Sequence, residues 1–360
     1  MRIGILTFHW AQNYGAVLQC YALKSKLEDM GHEVLIIDRL PKYQGILRRL
    51  YHRFSYKYAI SWWKFSRFNR HLLVPKTRRY TTQKSLEKFV SKERLDAVIV
   101  GSDQVWRWEM MGYNYFLDFI RKGTVRKYAY AASFGLSHWE SQELEPSQVR
   151  LLLKEFDAIS VREQSGVLIC ERLFDVPAQL VIDPTLLFDA DYYEGVLLWN
   201  RPKKSSHKVV SYILGEENLE ASLEISQWAE SQGLGYRELY WTRLGYPALK
   251  KGANFFFHLS VEDWLDEIRN AAYVITNSFH CMVFAILFRK KFVVLNHASG
   301  GSDRIHTLLS ALQLKHRFFT SSDDFYQVKK MLDTPVPYEE VEERIHAYRR
   351  ESLSFLENIK

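Results

Sequence analysis

The sequence predicts an α/β protein made of two successive doubly wound parallel sheets. Three observations carry this reading. The first forty residues order as strand, helix and strand; the stretch 272–295, AYVITNSFHCMVFAILFRKKFVVL, repeats that order; and the segment 201–207, RPKKSSH, polar and free of aliphatic residues, separates two α/β series. At 360 residues the chain holds either two domains of ordinary size or one large one, and 47% hydrophobic with 25% charged residues is a soluble globular composition.

In chain order, residues 2–8 read as the first strand, and Asn13, Tyr14 and Gly15 as the turn into a helix that runs to about Met30. Gly31 ends it, and 32–38 is the second strand. After an insertion, order resumes with the apolar strand 95–100, which stops at Gly101-Ser102-Asp103-Gln104-Val105-Trp106. Strands at 126–132, 157–161 and 180–182 follow, ending in Ser133-Phe134-Gly135, Arg162-Glu163 and Asp183-Pro184. Proline stops the last of them because it cannot donate to the ladder. Asp103, Ser133, Arg162 and Asp183 thus stand at successive strand ends, the edge where open α/β sheets take ligands. Each also reads as a turn or capping residue, and for Asp183, before proline, capping is the favoured reading.

Past the linker, 209–214 starts the second series, with 217–232 helical, 236–241 extended and 261–271 helical. The stretch 273–276 is a short buried strand, Asn277 or Ser278 supplies an N-cap beside His280, Lys290 and Lys291 close the helix, and 292–295 is the next strand. Free N–H groups at such a helix start favour an anion, and an imidazole there adds a hydrogen bond or a proton. In the competing reading Ser278 only caps and His280 only packs. Gly300-Gly301-Ser302-Asp303-Arg304 precedes another capped helix at 305–312, and 339–359 reads as a charged amphipathic helix.

The net charge of +7 is local. Residues 39–86 contain thirteen Lys and Arg and no Asp or Glu, so the rest of the chain carries −6. The same segment holds Tyr51, Phe54, Tyr56, Tyr58, Trp62, Trp63, Phe65 and Phe68, with Leu50, Phe54, Tyr58 and Trp62 spaced by four as on one helix face. A helical insertion, packed or solvated, is the plain reading. Contact with an anionic membrane surface is the sharper one, since Lys and Arg meet headgroups while Trp and Tyr sit at the interface. No nucleic-acid motif accompanies the charge, so no nucleic-acid partner is expected.

No run approaches the ~20 apolar residues of a membrane span, and Met1 opens into RIGILTF rather than a signal peptide, which points to the cytoplasm. Cys20, Cys170 and Cys281 lie far apart, form no metal-ligand spacing, and suit buried reduced thiols. No metal is expected.

Taken together, Asn13-Tyr14-Gly15-Ala16-Val17-Leu18-Gln19, Gly101 to Trp106, Ala132 to Gly135, Ser160-Val161-Arg162-Glu163, Asp183-Pro184 and Thr276-Asn277-Ser278-Phe279-His280 resemble, in that order, the polysaccharide pyruvyltransferase family, over most of the chain. The resemblance implies two Rossmann-like domains facing across a cleft, glycosyltransferase-B-like: 1–200 on the acceptor side with the basic aromatic insertion at about 42–80, 208–335 on the donor side, and a closing helix at 336–360. It also implies transfer of a pyruvyl group from phosphoenolpyruvate, a co-substrate rather than a cofactor, onto two sugar hydroxyls, giving a cyclic ketal and phosphate in surface polysaccharide synthesis. The acceptor saccharide would be lipid-linked or nucleotide-linked, at the inner membrane face.

On that implication His280 shuttles protons, Arg162 and Arg304 hold the donor's phosphate and carboxylate, and Asp103 takes a hydroxyl proton. Asn277 and Ser278 line the donor turn, where an arginine two residues before the histidine is common and Ser278 stands instead. Asn13, Gln19, Ser102, Gln104 and Ser133 face the acceptor, whose adjacent hydroxyls suit amides and carboxylates. Gly15 either lets backbone approach the ligand or simply starts a helix, and Trp106 either stacks on a sugar or fills the sheet edge. The alternatives are a sugar-nucleotide-dependent glycosyltransferase and a catalytically inactive membrane-associated binding protein of the same fold.

Overall fold

A computed structural model describes residues 1–40, 56–107, 109–204, 206–215, 219–239, 259–296, 301–320 and 325–360. The N-terminal half runs β1 (Arg2–Leu6), α1 (Tyr14–Asp29), β2 (Glu33–Ile36), α2 (Tyr56–Leu72), α3 (Gln83–Lys92), β3 (Ala97–Val100), β4 (Arg126–Ala132), α4 (Pro146–Leu153), β5 (Ala158–Val161), α5 (Gln164–Arg172), β6 (Gln179–Leu180) and α6 (Ala190–Leu197). The C-terminal half runs β7 (Lys208–Tyr212), α7 (Leu219–Ser231), β8 (Gly235–Glu238), α8 (Val261–Asn270), β9 (Tyr273–Thr276), α9 (Phe279–Leu287), β10 (Lys291–Leu295), α10 (Asp303–Ala311), β11 (Phe318–Phe319), α11 (Phe325–Asp333) and α12 (Tyr338–Glu357).

The strands form two all-parallel sheets, one of six strands ordered β2-β1-β3-β4-β5-β6 and one of five ordered β8-β7-β9-β10-β11. Counted within each half the order is the same, so each sheet reverses direction of growth between its first and third strands. A crevice opens at such a reversal, at the C-terminal strand ends. In the first sheet it receives the turns after β1 and β3, and in the second those after β7 and β9. Sheets covered on both faces need apolar residues throughout, and all of Ala97, Val98, Ile99 and Val100 are buried.

Local chemistry sets the helix ends that face the crevice. The Asn13 side chain accepts from Ala16 N–H at 3.2 Å, which starts α1, and Gly31 at φ 84° stops the chain just past its end. Ser260 and Asp263 cap α8 reciprocally, and every residue of α9 is buried, as its unbroken apolar sequence requires. Arg289 at φ 53° turns the chain out of α9, so Lys291 begins β10 rather than closing the helix as its charge had implied.

The halves are packed together as well as linked. Tyr14, at the start of α1, stacks on Trp264 of α8 with centroids 4.9 Å apart and donates to Leu259 carbonyl oxygen at 3.1 Å. Helix α12 returns to the N-terminal half: Arg349 donates to the carbonyls of Leu186 and Phe188, and Ser352 Oγ accepts from Ile182 N–H at 2.8 Å. One apolar cluster therefore runs from β1 and α1 through α9 to α12.

The expected strands are present: those at 126–132 and 273–276 match, those at 2–8, 32–38, 95–100 and 157–161 are shorter by one to three residues, and β6, β7, β8 and β10 each begin one residue earlier than expected. Helices α3 to α6 and α11, with mixed polar faces, had no counterpart in the sequence reading. Of the insertion, residues 42–55 lie outside the described set, with Leu50 and Phe54 of the proposed apolar face; so do 217–218, Trp241 and Gly300. Within α2, Phe65 and Phe68 pack on Tyr14 and Tyr21, while Trp62, on the face spaced by four, is 55% exposed.

Candidate active site

Six charged or titratable side chains converge where the two sheets' switch points face each other. The N-terminal half supplies Asp103 from the turn after β3, Arg162 and Glu163 from the end of β5, and Asp183 after β6; the C-terminal half supplies His280 from the first turn of α9 and Arg304 from that of α10.

Arg162 is the hub. Its Nη1 donates to Asp183 Oδ2 at 2.7 Å and to Ser102 Oγ at 3.1 Å, Nη2 lies 3.4 Å from Asp103 Oδ1, and Nε lies 3.9 Å from Glu163 Oε2. The guanidinium also sits 5.1 Å from the Phe279 ring centroid. Although burial acts against its charge, these carboxylates raise its affinity for the proton. Arg162, expected as a cation for the donor, is also paired with acids of its own half.

Asp183 combines two roles the sequence left as alternatives. Oδ1 caps the following turn, accepting from Thr185 N–H and Oγ1 at 3.0 and 2.7 Å, while Oδ2 accepts from Ser102 Oγ at 2.8 Å and from Arg162, with His280 Nε2 at 3.7 Å. Burial alone would push this carboxyl up, but the charges of His280 and Arg162 and the Thr185 hydrogen bond hold it well below the usual carboxylate range. Asp183 is the site residue sequence reasoning missed. A residue before proline with a small turn behind it gave only the capping signal.

His280 reaches Asp183 across the halves because α1 makes room. A Cβ on Gly15 would fall 2.0 Å from His280 Nδ1 and 2.4 Å from Cγ, so the imidazole lies directly on the Gly15 backbone. Gly15 lies in the first turn of α1, as a helix-start glycine would, and the space beside it is taken by His280. The 3.7 Å separation from Asp183 is too long for a hydrogen bond, and His280 Nε2 is buried without a partner among the described residues.

Arg304 is the counterweight to Arg162. Its Nε and Nη1 are buried without a hydrogen-bond partner among the described residues. Burial, then repulsion from Arg162, lowers its proton affinity to about 10, with Glu163 and Asp103 acting the other way. Buried guanidinium N–H groups without partners are costly.

The remaining expected residues divide between lining and bracing. Asn13 is exposed at the start of α1, and Gln104, half-buried, accepts from Arg107 Nη1 at 3.3 Å. Asp103 holds φ 91°, a strained value for a residue with a Cβ, and is half-buried beside them. By contrast Gln19 is fully buried and donates to Thr7 Oγ1 and Ala16 carbonyl oxygen, while Thr7 donates to Ser102 carbonyl oxygen. Asn277 uses both amide atoms on the Leu214 backbone, at 2.7 and 2.9 Å, tying the β7 and β9 turns together. These hydrogen bonds brace the turns that Gln19, Asn277 and Ser102 occupy, while Gln19 Oε1 is buried without a hydrogen-bond partner among the described residues. Ser133 is likewise buried, accepting from Gly135 N–H and bonding Glu163. Ser278 occupies the N-cap position of α9 without a side-chain cap bond. Trp106 fills the sheet edge, stacked on Phe116 with its indole N–H on Tyr115 carbonyl oxygen. Burial pushes all three thiols up to about 12, which disfavours the thiolate form of Cys281 beside His280. No group of three or more His, Cys, Asp or Glu among the described residues is arranged to hold a metal.

Solved structures share this architecture at low identity. UDP-GlcNAc 2-epimerase from Methanocaldococcus jannaschii is 12% identical with a TM-score of 0.56, over 97% of this chain and 100% of that one. Arabidopsis thaliana UGT89C1, solved with UDP-L-rhamnose, is 9% identical with a TM-score of 0.54, over 99% and 95%. The spinosyn forosaminyltransferase SpnP is 12% identical with a TM-score of 0.52, over 98% and 95%. These likenesses establish the glycosyltransferase-B-like arrangement of two Rossmann-like domains, and the fold alone. No curated protein sequence matches the chain. A family model, however, matches residues 13–299, a span from the cap of α1 past His280 that takes in the turns bearing Asp103, Arg162, Glu163, Asp183 and His280 and stops short of Arg304. The chain belongs to the polysaccharide pyruvyl transferase family.

Proposed function

We propose that the chain transfers a pyruvyl group from phosphoenolpyruvate onto two hydroxyls of a saccharide, forming a cyclic ketal and releasing phosphate, in the synthesis of a surface polysaccharide. The observation that carries this reading is the pair of unpartnered buried groups on the C-terminal half, Arg304 Nε and Nη1 and His280 Nε2, facing the acids and Arg162 of the other half. A donor bearing both a phosphate and a carboxylate needs fixed cations and a proton carrier, and these supply them.

In this mechanism Arg304 pairs with one anionic group of the donor, and Arg162, held by Asp183 and Asp103, presents its remaining edge to the other. Asp183 orients both Arg162 and His280. His280 takes the proton of an attacking hydroxyl, with Asp103 as a second acceptor on the acceptor side. Asn13 and Gln104 meet the sugar's other hydroxyls. The chemistry is stepwise: the donor's methylene carbon takes a proton as one hydroxyl adds to the carbon that carries the phosphate, and the second hydroxyl then displaces phosphate from it.

The acceptor is proposed to be presented at the inner face of a cytoplasmic membrane, with α2 nearby. Trp62 and Trp63 are 55% and 52% exposed on that helix, and Arg67 and Arg70 are exposed beside them, an arrangement suited to anionic headgroups. No helix among the described residues is long and apolar enough to cross a membrane.

The test is ligand-dependent stabilisation. Phosphoenolpyruvate raises Tm while UDP-sugars do not, and Arg304→Gln removes the rise. Stabilisation by UDP-sugars alone would favour the glycosyltransferase alternative.

A further inference from the structure

Glu163 is the one acid of the cluster the mechanism above leaves idle. It is 1% exposed, at the N-cap position of α5, yet its side chain makes no capping bond. Oε1 accepts from Phe134 N–H at 2.8 Å, and Oε2 is buried with no hydrogen-bond partner among the described residues. The nearest cationic atom to Oε2 is Arg162 Nε at 3.9 Å, itself without a hydrogen-bond partner. A buried carboxylate oxygen beside an unpartnered N–H is an expensive arrangement unless a ligand or a proton completes it.

The geometry also separates Glu163 from the other proton carriers. Arg162 turns its Nη edge to Asp183, Ser102 and Asp103, and Asp183 in turn meets His280, whereas its Nε edge meets Glu163. The groups facing Glu163 are Arg162 from β5, the Ser133 hydroxyl and Phe134 N–H from the end of β4, Arg304 from α10, and Cys170 on its own helix. Asp103 and Arg107 lie next to Arg304. The start of α5 is fixed to α10 by the Gln164 N–H to Thr307 Oγ1 bond of 3.2 Å. Burial pushes the Glu163 carboxyl above its ordinary value in spite of the Arg162 and Arg304 charges and the bonds from Ser133 and Phe134. An anion bound to those two arginines cancels the very charges that oppose protonation.

Building on the proposed donor, we propose that Glu163 takes up a proton as phosphoenolpyruvate binds between Arg162 and Arg304, and that its Oε2–H then protonates the donor's methylene carbon. The Glu163 O–H bond breaks and a C–H bond forms, with the electron pair of the C=C bond taking the proton and leaving an electron-poor carbon that keeps its phosphate oxygen. The first hydroxyl bonds to that carbon and gives its proton to His280. The second then bonds while the carbon–oxygen bond to phosphate breaks. The second hydroxyl gives its proton to Glu163, His280 passes the first to the departing phosphate, and Glu163 releases its proton when phosphate leaves, so the site is restored. Uptake of the proton also removes a negative charge from a cluster that otherwise holds three acids, which favours an anionic donor.

The experiment is calorimetric titration of the full chain with phosphoenolpyruvate in buffers of different ionisation enthalpy, paired with turnover. Wild type takes up about one proton per donor bound over the pH range where a displaced carboxyl titrates. Glu163→Gln, neutral and of the same shape, binds the donor within about threefold of wild type, takes up no proton, and loses turnover by about 10²–10⁴-fold. Glu163→Asp, which keeps a carboxyl, retains proton uptake and part of the turnover. Undiminished proton uptake or wild-type turnover in Glu163→Gln overturns the role of Glu163 alone. Failure of wild type to bind phosphoenolpyruvate overturns the donor reading and this role together.

Discussion

Gly15→Ala isolates the contact that joins the halves at the site. Within an otherwise unconstrained helix the change would stabilise the chain by about 0.5–1 kcal/mol, because glycine gives up more backbone freedom. Here the added Cβ would lie 2.0, 2.4 and 2.6 Å from His280 Nδ1, Cγ and Cε1. Ordinary contact begins near ~3.5 Å, so the imidazole or the start of α1 has to move by about 1.5 Å. Overpacking of that order costs about 1–3 kcal/mol, leaving a net loss of up to about 2.5 kcal/mol. Displacement of a reacting group by about 1 Å costs roughly 10² in rate, so kcat/KM falls about 100-fold or more. The discriminating assay is thermal unfolding of Gly15→Ala in wild-type and His280→Ala backgrounds. With the imidazole gone, the same substitution becomes neutral or stabilising, a reversal of sign. Equal destabilisation in both backgrounds, or wild-type kcat/KM in Gly15→Ala, would refute the reasoning.

Three further outcomes follow. Arg304→Gln removes a buried cation with two unpartnered nitrogens that repels Arg162, so the fold holds or gains stability in urea titration while KM for phosphoenolpyruvate rises at least about tenfold. Asp183 sits below its unfolded value, so it contributes stability above about pH 4 that is lost as pH falls toward its folded value. Asp183→Asn therefore destabilises the chain by about 3–5 kcal/mol at pH 7, where it uncovers Arg162, and flattens acid unfolding; unchanged acid unfolding would contradict this. Replacing Trp62 and Trp63 together with Ala lowers cosedimentation with phosphatidylserine vesicles and leaves Tm within about 1 °C, since both side chains are half exposed; unchanged binding would separate α2 from any membrane role.

The two-sheet fold was legible because its strands are short apolar runs stopped by polar turns, as at Ala97 to Ser102 and Tyr273 to Ser278. The site was legible as a set of turns but not as a set of atoms. Gln19, Asn277 and Ser102 occupy the right turns, yet their hydrogen bonds go to Thr7, Leu214 and Asp183, a choice made by neighbours far away in sequence. Asp183 was hidden because its capping role is real and takes one oxygen, leaving the other for Arg162. The pairing of Gly15 with His280 spans 265 residues and two sheets, so no local pattern announces it. Helix periodicity put Trp62 on one face of α2 but did not say that Phe65 and Phe68 are the residues that meet Tyr14 and Tyr21.

The most direct test of the proposed activity is incubation of the purified chain with phosphoenolpyruvate and a saccharide acceptor, following phosphate release and the acceptor's mass. The account predicts acceptor-dependent phosphate release matched one for one by a pyruvyl ketal on the sugar, abolished in His280→Ala and Arg162→Ala at unchanged secondary structure. Full activity in His280→Ala, or ketal formation without phosphate release, would contradict it.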